Sequence, residues 1–492
     1  MGVSNLWDNL QPAFEPRVPF CHFATQFYRA QQRPIRLAID AYIWLIEASS
    51  LTARSTTNGY IQTLHARVRE LVKLHVSFVF VFDGKFKPKS KGRTGRTALE
   101  ETESLHEFQR NYYEVREALQ DPSIDLRETT SSKFMIQVTE FQEHLAAWNI
   151  PFLTAAGEAE AECARLQMAG VVDYVVTNDS DVLLFGCRKV LRNFSKIYAD
   201  KPPSYHSPNR ASPERKAHKE LEFWVTPVDM EKVRAVVGLD RQRLLLLVVL
   251  RGGDYDLGVG KLGMTKSLSI SLSGSPKSRV REGLYKLTGL DDTEVDFSLM
   301  FFDIFVSSDY EYLSGVLPDP QEVELKYVEF FDKLLLEINT YPLKYFPRRY
   351  AITLLENIPP LSISLLYLFP ALRSSVFMFK PGTVNYAELS LNTGMLADLG
   401  IIGNVMNGQA VRAKLNLSII SLGDTTVTSV HGDFFTISTE NVHQSVVGRT
   451  NTPVIEFEAF NDSSIVILEE SIVMAVHGKG TSDEPILLSD DG

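Results

Sequence analysis

Three short apolar runs in the first half of the chain constrain its fold most. Each suits a strand buried on both faces, and each ends in an acid. Ile35–Ile39 runs into Asp40, Val76–Phe82 into Asp83, and Val171–Thr177 into Asn178-Asp179-Ser180-Asp181. Between them lie stretches with helical spacing, Gly59–Lys73 and Lys133–Trp148. Strands alternating with helices predict an α/β fold with a mostly parallel sheet. Ligands of such sheets sit outside the carboxyl ends of the strands, so the three acidic ends should meet along one edge.

Two further segments add acids. Gly157-Glu158-Ala159-Glu160-Ala161-Glu162 opens a helical run to Ala169. A helix dipole favours acids in a first turn, so this start is weak evidence alone, but it lies just before the third strand. Glu162, further into the helix, reads as a solvated residue. Gly252-Gly253-Asp254 follows the apolar run Leu244–Leu250, and its paired glycines let the backbone approach a ligand closely. The candidates are therefore Asp40, Asp83, Glu158, Glu160, Asp179, Asp181 and Asp254. Taken singly, each has a plain account as a helix cap, turn residue or surface acid. Three strand-terminal acids together do not, because adjacent carboxylates raise one another's pKa unless a cation lies between them. Oxygen ligands suit hard divalent ions, and Mg²⁺ commonly takes substrate phosphate as a further ligand. Two such ions roughly 3.5–4 Å apart activate water and stabilise the leaving oxygen of an in-line phosphoryl displacement. The chemistry expected is metal-dependent phosphodiester hydrolysis. The ten histidines form no metal-binding pair.

At 492 residues the chain can bury two or three cores, and 44% apolar with 23% charged residues is ordinary globular composition. No run approaches about twenty apolar residues, so no membrane partner is expected. The N-terminus lacks a secretory pattern, and Leu6 stands where a myristoylation signal wants Ser or Thr. Cys21, Cys163 and Cys187 form no close pair, which fits a reducing compartment and three ordinary core residues. A net charge of −11 runs against a nucleic-acid partner, but its distribution matters more than its sum. Lys85, Lys87, Lys89, Lys91, Arg93 and Arg96 occur in a stretch free of acids. Phosphate steering and a solvated basic or nuclear-localisation loop both account for it.

Along the chain, 84–132 reads as a basic, then polar, mobile excursion, and 199–220 as an insertion. Helices are expected over Met230–Val237 and Arg241–Arg251, then a Gly-rich turn and mostly helical sequence to about residue 375. Beyond 380, Val411–Leu422, Thr425–Val430, Phe434–Ser438 and Val454–Phe460 suggest short strands.

The dispersed motifs resemble the XPG/flap-endonuclease superfamily: Met1-Gly2-Val3 with Leu6-Trp7, Leu37-Ala38-Ile39-Asp40-Ala41, Phe80-Val81-Phe82-Asp83-Gly84, Gly157-Glu158-Ala159-Glu160-Ala161, Thr177-Asn178-Asp179-Ser180-Asp181 and Gly253-Asp254-Tyr255. Asp181–Gly186, Val190–Lys196 and Lys266-Ser267-Leu268 look most like the fungal and other eukaryotic Holliday-junction resolvases. The resemblance implies a PIN-like nuclease core over 1–255, a helix–two-turn–helix and helical DNA-binding region over 256–375, a chromodomain-like β-rich module over 380–470 and a tail over 471–492. It implies catalytic, metal-binding roles for the seven carboxylates, with two Mg²⁺ ions that Mn²⁺ can replace. It also implies DNA contacts from Gly2, the six basic residues, Gly258, Gly260, Lys261, Gly263 and Lys266, with K⁺ at the Gly258–Gly263 hairpin. Gly260-Lys261 departs from the family's glycine order there, and Asn5 from its common glycine.

The expected activity is resolution of four-way junctions by paired nicks, with flaps and forks also cut, by a homodimer formed on the junction in the nucleus, with shuttling to the cytoplasm. Ser207 and Ser212 head Ser-Pro-x-Arg sequences favoured by cyclin-dependent kinases; a plain Pro-rich loop is the alternative. Pro485–Asp491 resembles a SUMO-interacting motif. The rivals are a flap or repair nuclease of the same superfamily, a haloacid-dehalogenase-like phosphohydrolase and a non-catalytic DNA-binding scaffold. Asp40-Ala41-Tyr42 lacks the second acid that the dehalogenase-like reading requires.

Overall fold

The computed structural model describes residues 2–389 except 53–58, 89–90, 92–103, 129–131, 198–218, 261, 278–294, 306–316, 318, 342–344, 346–357, 375–376, 380–383 and 385–387. Nearly all of the expected β-rich module, the tail with its SUMO-like stretch, Lys89, Arg93, Arg96, Lys261, Ser207 and Ser212 lie outside the described residues.

Seven strands form one sheet: β1 (Val18–Pro19), β2 (Arg36–Asp40), β3 (Ser77–Phe82), β4 (Phe152–Thr154), β5 (Tyr174–Val176), β6 (Lys189–Ile197) and β7 (Lys219–Asp229). Their order is β1-β7-β6-β5-β2-β3-β4. The pairs from β6 through β4 are parallel, and β7 lies antiparallel to both β6 and β1. This is the mostly parallel α/β architecture that the alternating pattern predicts. The third apolar run becomes a strand later than expected. The Val171 and Val172 amides turn back to the Leu166 carbonyl, so these valines close the preceding helix.

The middle strands are apolar throughout because both faces are buried. Ala38, Val79 and Val81 pack into one core, while Leu37, Ile39, Phe78, Phe80 and Phe82 pack into the other, as a two-residue period requires. The first core also holds Leu244–Leu250 and side chains of the later helices. The second is closed by Leu64, Val68 and Leu71 of the helix Gly59–Lys73 and by Phe141 and Leu145 of the helix Lys133–Ala147.

The stretch 84–132 is not wholly an excursion. Leu105–Ala118 is a helix started by a capping box between Ser104 and Glu107, with Phe108 buried in the first core. Farther on, helices occur at Met230–Val236, Arg241–Arg251, Met264–Ser271, Phe297–Phe302, Pro320–Thr340 and Leu361–Leu368. Asp229, Asp240, Asp296 and Asp319 cap four of them by accepting first-turn amides. Among the described residues no helix is long and apolar enough to cross a membrane.

Candidate metal centre

Strand order explains how distant acids meet. β2 lies between β5 and β3, all three parallel, so Asp40, Asp83 and Asp179 leave the same edge on adjacent strands. β4, next to β3, leads to the same edge and into the helix Ala159–Met168, with Glu158 as N-cap and Glu160 in its first turn. Asp254 follows the buried helix Arg241–Arg251, beyond the Gly252 turn, which has φ of +88°.

Six of the seven carboxylates are buried and Asp254 is half-buried. Burial raises the Asp40 carboxyl well above the carboxylate range, with Glu160, Asp83 and Asp179 adding repulsion. Asp181 is raised well above its range by burial and by Asp179 and Asp254. Asp179 is raised by burial, opposed by Lys91 and reinforced by Asp254. Glu158 and Glu160 are each pushed up to about 7 by burial, against the pull of Lys91. The structure thus gathers all seven predicted acids in one electrostatic cluster.

Their hydrogen bonding separates them into two groups. Asp40 Oδ1 accepts from the Tyr42 and Ile43 amides, and Oδ2 accepts from the Thr177 hydroxyl at 2.9 Å. Asp83 Oδ1 accepts from the Ala159 amide at 2.8 Å, tying β3 to the glutamate-bearing helix. In contrast, Glu160 Oε2, Asp179 Oδ2 and Asp181 Oδ1 are buried with no hydrogen-bond donor. Such acceptors normally find a donor, and leaving one bare costs about 1–3 kcal/mol, more for a charged group. Unfilled oxygen donors beside mutually repelling acids are what a hard divalent cation would satisfy. The residues fit Mg²⁺. Among the described residues no three acidic, histidine or cysteine side chains already close around one point as a ligand set.

A lysine supplies positive charge there. Lys91 Nζ lies 3.1 Å from Glu158 Oε1 and 3.5 Å from Glu160 Oε1. Burial alone would lower its pKa, but Glu158, Glu160, Asp83 and Asp179 outweigh that and hold it well above the usual lysine range. Lys87 pairs with Asp83 at 3.4 Å and Glu128 at 3.0 Å, whereas the Lys85 ammonium lies over the Phe86 ring. Lys87 and Lys91 therefore reach into the acidic centre rather than only standing in solvent.

Gly2 is also at the centre. Its amide donates to Asp254 Oδ2 at 3.3 Å, and its φ is +75°. A Cβ there would collide with Ser180 Oγ and with Oδ1 of Asp179 and Asp181. The expected hairpin is tightly closed. The amides of Gly258, Val259 and Leu262 donate to Asp256, Leu250 and Val259, and Gly263 caps the helix that carries Lys266 in its first turns. Gly260 lies half-buried in the same turn.

Glu162 is not solvated as expected. It is fully buried, paired with Arg165 and bonded by the Arg373 amide at 3.4 Å. Arg165, one turn along the same helix, neutralises it, and the distant Arg373 amide adds a hydrogen bond that helix periodicity does not show. The sequence reading also missed three supporting side chains. The Tyr255 hydroxyl donates to Glu158 Oε2 at 2.5 Å, and the Tyr367 hydroxyl lies 3.5 Å from Asp181 Oδ2. Asn178 donates to Glu47, which pairs with buried Arg67 at 2.8 Å. Tyr255 was signalled by its place beside Asp254; Tyr367 had no such signal.

Fold and site together define an α/β protein built around a buried, cation-demanding carboxylate cluster at the carboxyl ends of its strands. The XPG N-terminal domain matches residues 1–102 and the XPG I-region matches 149–254, so the chain carries both of these regions. It is 30% identical over 400 residues to the Holliday junction resolvase YEN1 of Saccharomyces cerevisiae, covering 72% of this chain and 48% of that protein. It is 28% identical to flap endonuclease 1 of Methanocella arvoryzae, over 48% of this chain and 67% of that one. A crystal structure of the Holliday junction-resolving enzyme GEN1 with product DNA and Mg²⁺ covers 76% of this chain and 66% of its own, at 22% identity and a TM-score of 0.45. The chain spans about half the length of the yeast relative.

Proposed function

We propose that this chain is a Mg²⁺-dependent, structure-selective DNA endonuclease that resolves four-way junctions by paired nicks and also cuts 5′ flaps and forks. The observation carrying this reading is the set of buried carboxylate oxygens without donors on Glu160, Asp179 and Asp181, gathered from separate chain segments. The similarity to a resolvase over 72% of the chain supports the choice of substrate.

Glu158, Glu160, Asp179, Asp181 and Asp254 would hold the ions, with Asp40 and Asp83 completing the negative field. Bound divalent ions supply Lewis acidity toward phosphate and a water of lowered pKa. Asp40 is fixed by three donors and keeps Thr177, and so the loop bearing Asp179, against the end of β2. Asp83 fixes the first turn that carries Glu160. Lys91 balances the glutamates in the free protein and meets the anionic backbone when DNA arrives. Gly2 keeps the approach open beside Asp179 because a larger residue cannot fit. Lys85, Lys87, Lys89, Arg93, Arg96, Gly258, Gly260, Lys261, Gly263 and Lys266 supply the phosphate contacts, with K⁺ at the hairpin.

A dimer formed on the junction would make the two cuts symmetric. Nuclear residence with shuttling, inhibition by phosphorylation at Ser207 and Ser212, and SUMO contacts through Pro485–Asp491 belong to the same reading. Full activity of a Ser207→Asp/Ser212→Asp chain would remove the phosphorylation element.

The test is a cleavage panel over four-way junctions, 5′ flaps and forks with Mg²⁺, Mn²⁺ or Ca²⁺. Paired symmetric junction nicks with Mg²⁺, lost in Glu160→Ala/Asp179→Ala, are expected. A single flap cut with an intact junction would favour the flap-nuclease alternative, to which the archaeal similarity points. Undiminished cutting by the double variant would end the nuclease reading.

A further inference from the structure

The segment 361–374 lies beyond both matched regions, which end at residues 102 and 254, yet it is built into the wall of the carboxylate cluster. Its helix Leu361–Leu368 is buried almost throughout. Tyr367 is wholly buried, with its ring 4.8 Å from Tyr255 and 5.8 Å from Phe185, the residue that ends the Asp181 helix. Its hydroxyl faces Asp181 Oδ2 at 3.5 Å, and a Cβ on Gly253 would lie 2.8 Å from that hydroxyl. Downstream, the Ala371 carbonyl accepts from the Gly157 amide at 3.2 Å, immediately before Glu158. Arg373 donates to the Thr154 carbonyl at 2.8 Å, at the end of β4, and Ser374 to the Leu119 carbonyl at 2.7 Å, just past the helix Leu105–Ala118.

A phenylalanine would fill the Tyr367 ring site equally well. A hydroxyl placed among acids is costly unless it donates, and Asp181 Oδ2 is the acceptor within reach. Asp181 Oδ1 is the oxygen left without a donor. Tyr255 makes the matching contact to Glu158 Oε2, so two phenols packed at a tilt each hold one oxygen of a carboxylate.

We propose that Tyr367 is a positioning residue for Asp181 and, through its packing on Tyr255, for Glu158, so that the metal-binding unit of this chain extends to residue 374. The inference rests on the divalent-ion reading given above. Outer hydrogen bonds to metal ligands commonly carry ten-fold or larger effects on affinity. Tyr367→Phe, which keeps the ring, is expected to weaken Mn²⁺ binding to the full-length chain about ten-fold by titration calorimetry without DNA. The Mg²⁺ concentration for half-maximal cleavage should rise similarly, and the maximal rate should fall less. The Phe variant's unfolding midpoint should stay close to the parent's. Tyr367→Leu, which also loses the ring contacts, separates packing from hydrogen bonding: weaker binding in the Leu variant alone would overturn the proposal. Equal Mn²⁺ affinity in Tyr367→Phe and the parent would overturn it too. Failure of the parent to bind Mn²⁺ at all would instead refute the site reading on which the inference depends.

Discussion

Replacing Glu160 by glutamine should stabilise the metal-free protein at high pH while removing its capacity for divalent ions. Burial, with Asp83 and Asp179 adding repulsion, pushes the Glu160 carboxyl from about 4.5 to about 7 despite Lys91. At about 1.4 kcal/mol per pKa unit, that displacement corresponds to roughly 3 kcal/mol of stability. The sign follows from a folded-state pKa above the unfolded one. The stabilisation is fully present below about pH 4.5 and is lost as pH climbs through 7, because folding then requires an unfavourable ionisation. Glutamine cannot ionise, so in EDTA the Glu160→Gln midpoint should rise relative to the parent between pH 5 and pH 8. In a chain of this length the relative gain is about 1–2 °C per kcal/mol, or a few degrees in all. Mg²⁺ should reverse the order at pH 8, because an ion that binds only the ionised folded site stabilises the parent and not the variant. Differential scanning calorimetry across pH 5–8.5, with and without Mg²⁺, reads both effects. A parent–variant difference that does not change with pH would refute the crowded-carboxylate argument.

Gly2→Ala should reduce cleavage at least about ten-fold and also lower the unfolding midpoint, since the added Cβ clashes with buried Asp179, Ser180 and Asp181 at a left-handed backbone position. Kinetics beside a melting curve test this, and full activity would count against crowding at the site. Arg67→Ala should destabilise by about 3–5 kcal/mol in urea unfolding, because it strands buried Glu47 and removes a guanidinium stacked 4.9 Å from the Trp44 ring. A loss under about 1 kcal/mol would mean that Glu47 is relieved elsewhere. In native protein a thiol reagent should modify Cys21 well before Cys163 and Cys187, which burial raises well above the usual thiol range and to about 12 respectively. Mass spectrometry of the labelled peptides gives the order, and early loss of either buried thiol would contradict it.

What the sequence made legible depended on whether the cause of a feature was local. A strand buried on both faces must be apolar at every position, so the β2 and β3 runs announced themselves, and a parallel sheet then forces their terminal acids to one edge. The acids of the centre could therefore be nominated from strand ends, a helix start and a glycine turn. Their relief could not, since it comes from far along the chain: Thr177 onto Asp40, the Ala159 amide onto Asp83, Tyr255 onto Glu158 and Tyr367 onto Asp181. Glu162 makes the point from the other side. Its helical position reads as solvent-facing, yet it is buried with Arg165 of the same helix as its charge partner, and its second oxygen is met by the Arg373 amide, 211 residues later. Lys91 was visible as charge in a basic stretch but not as a partner of Glu158 and Glu160, because a run of like charges carries no record of which member turns inward. Types of side chain demanded by a fold leave a periodic trace; the pairing of buried charges across distant segments leaves none. The unpaired oxygens of the centre are for that reason better evidence of function than the spelling of its motifs.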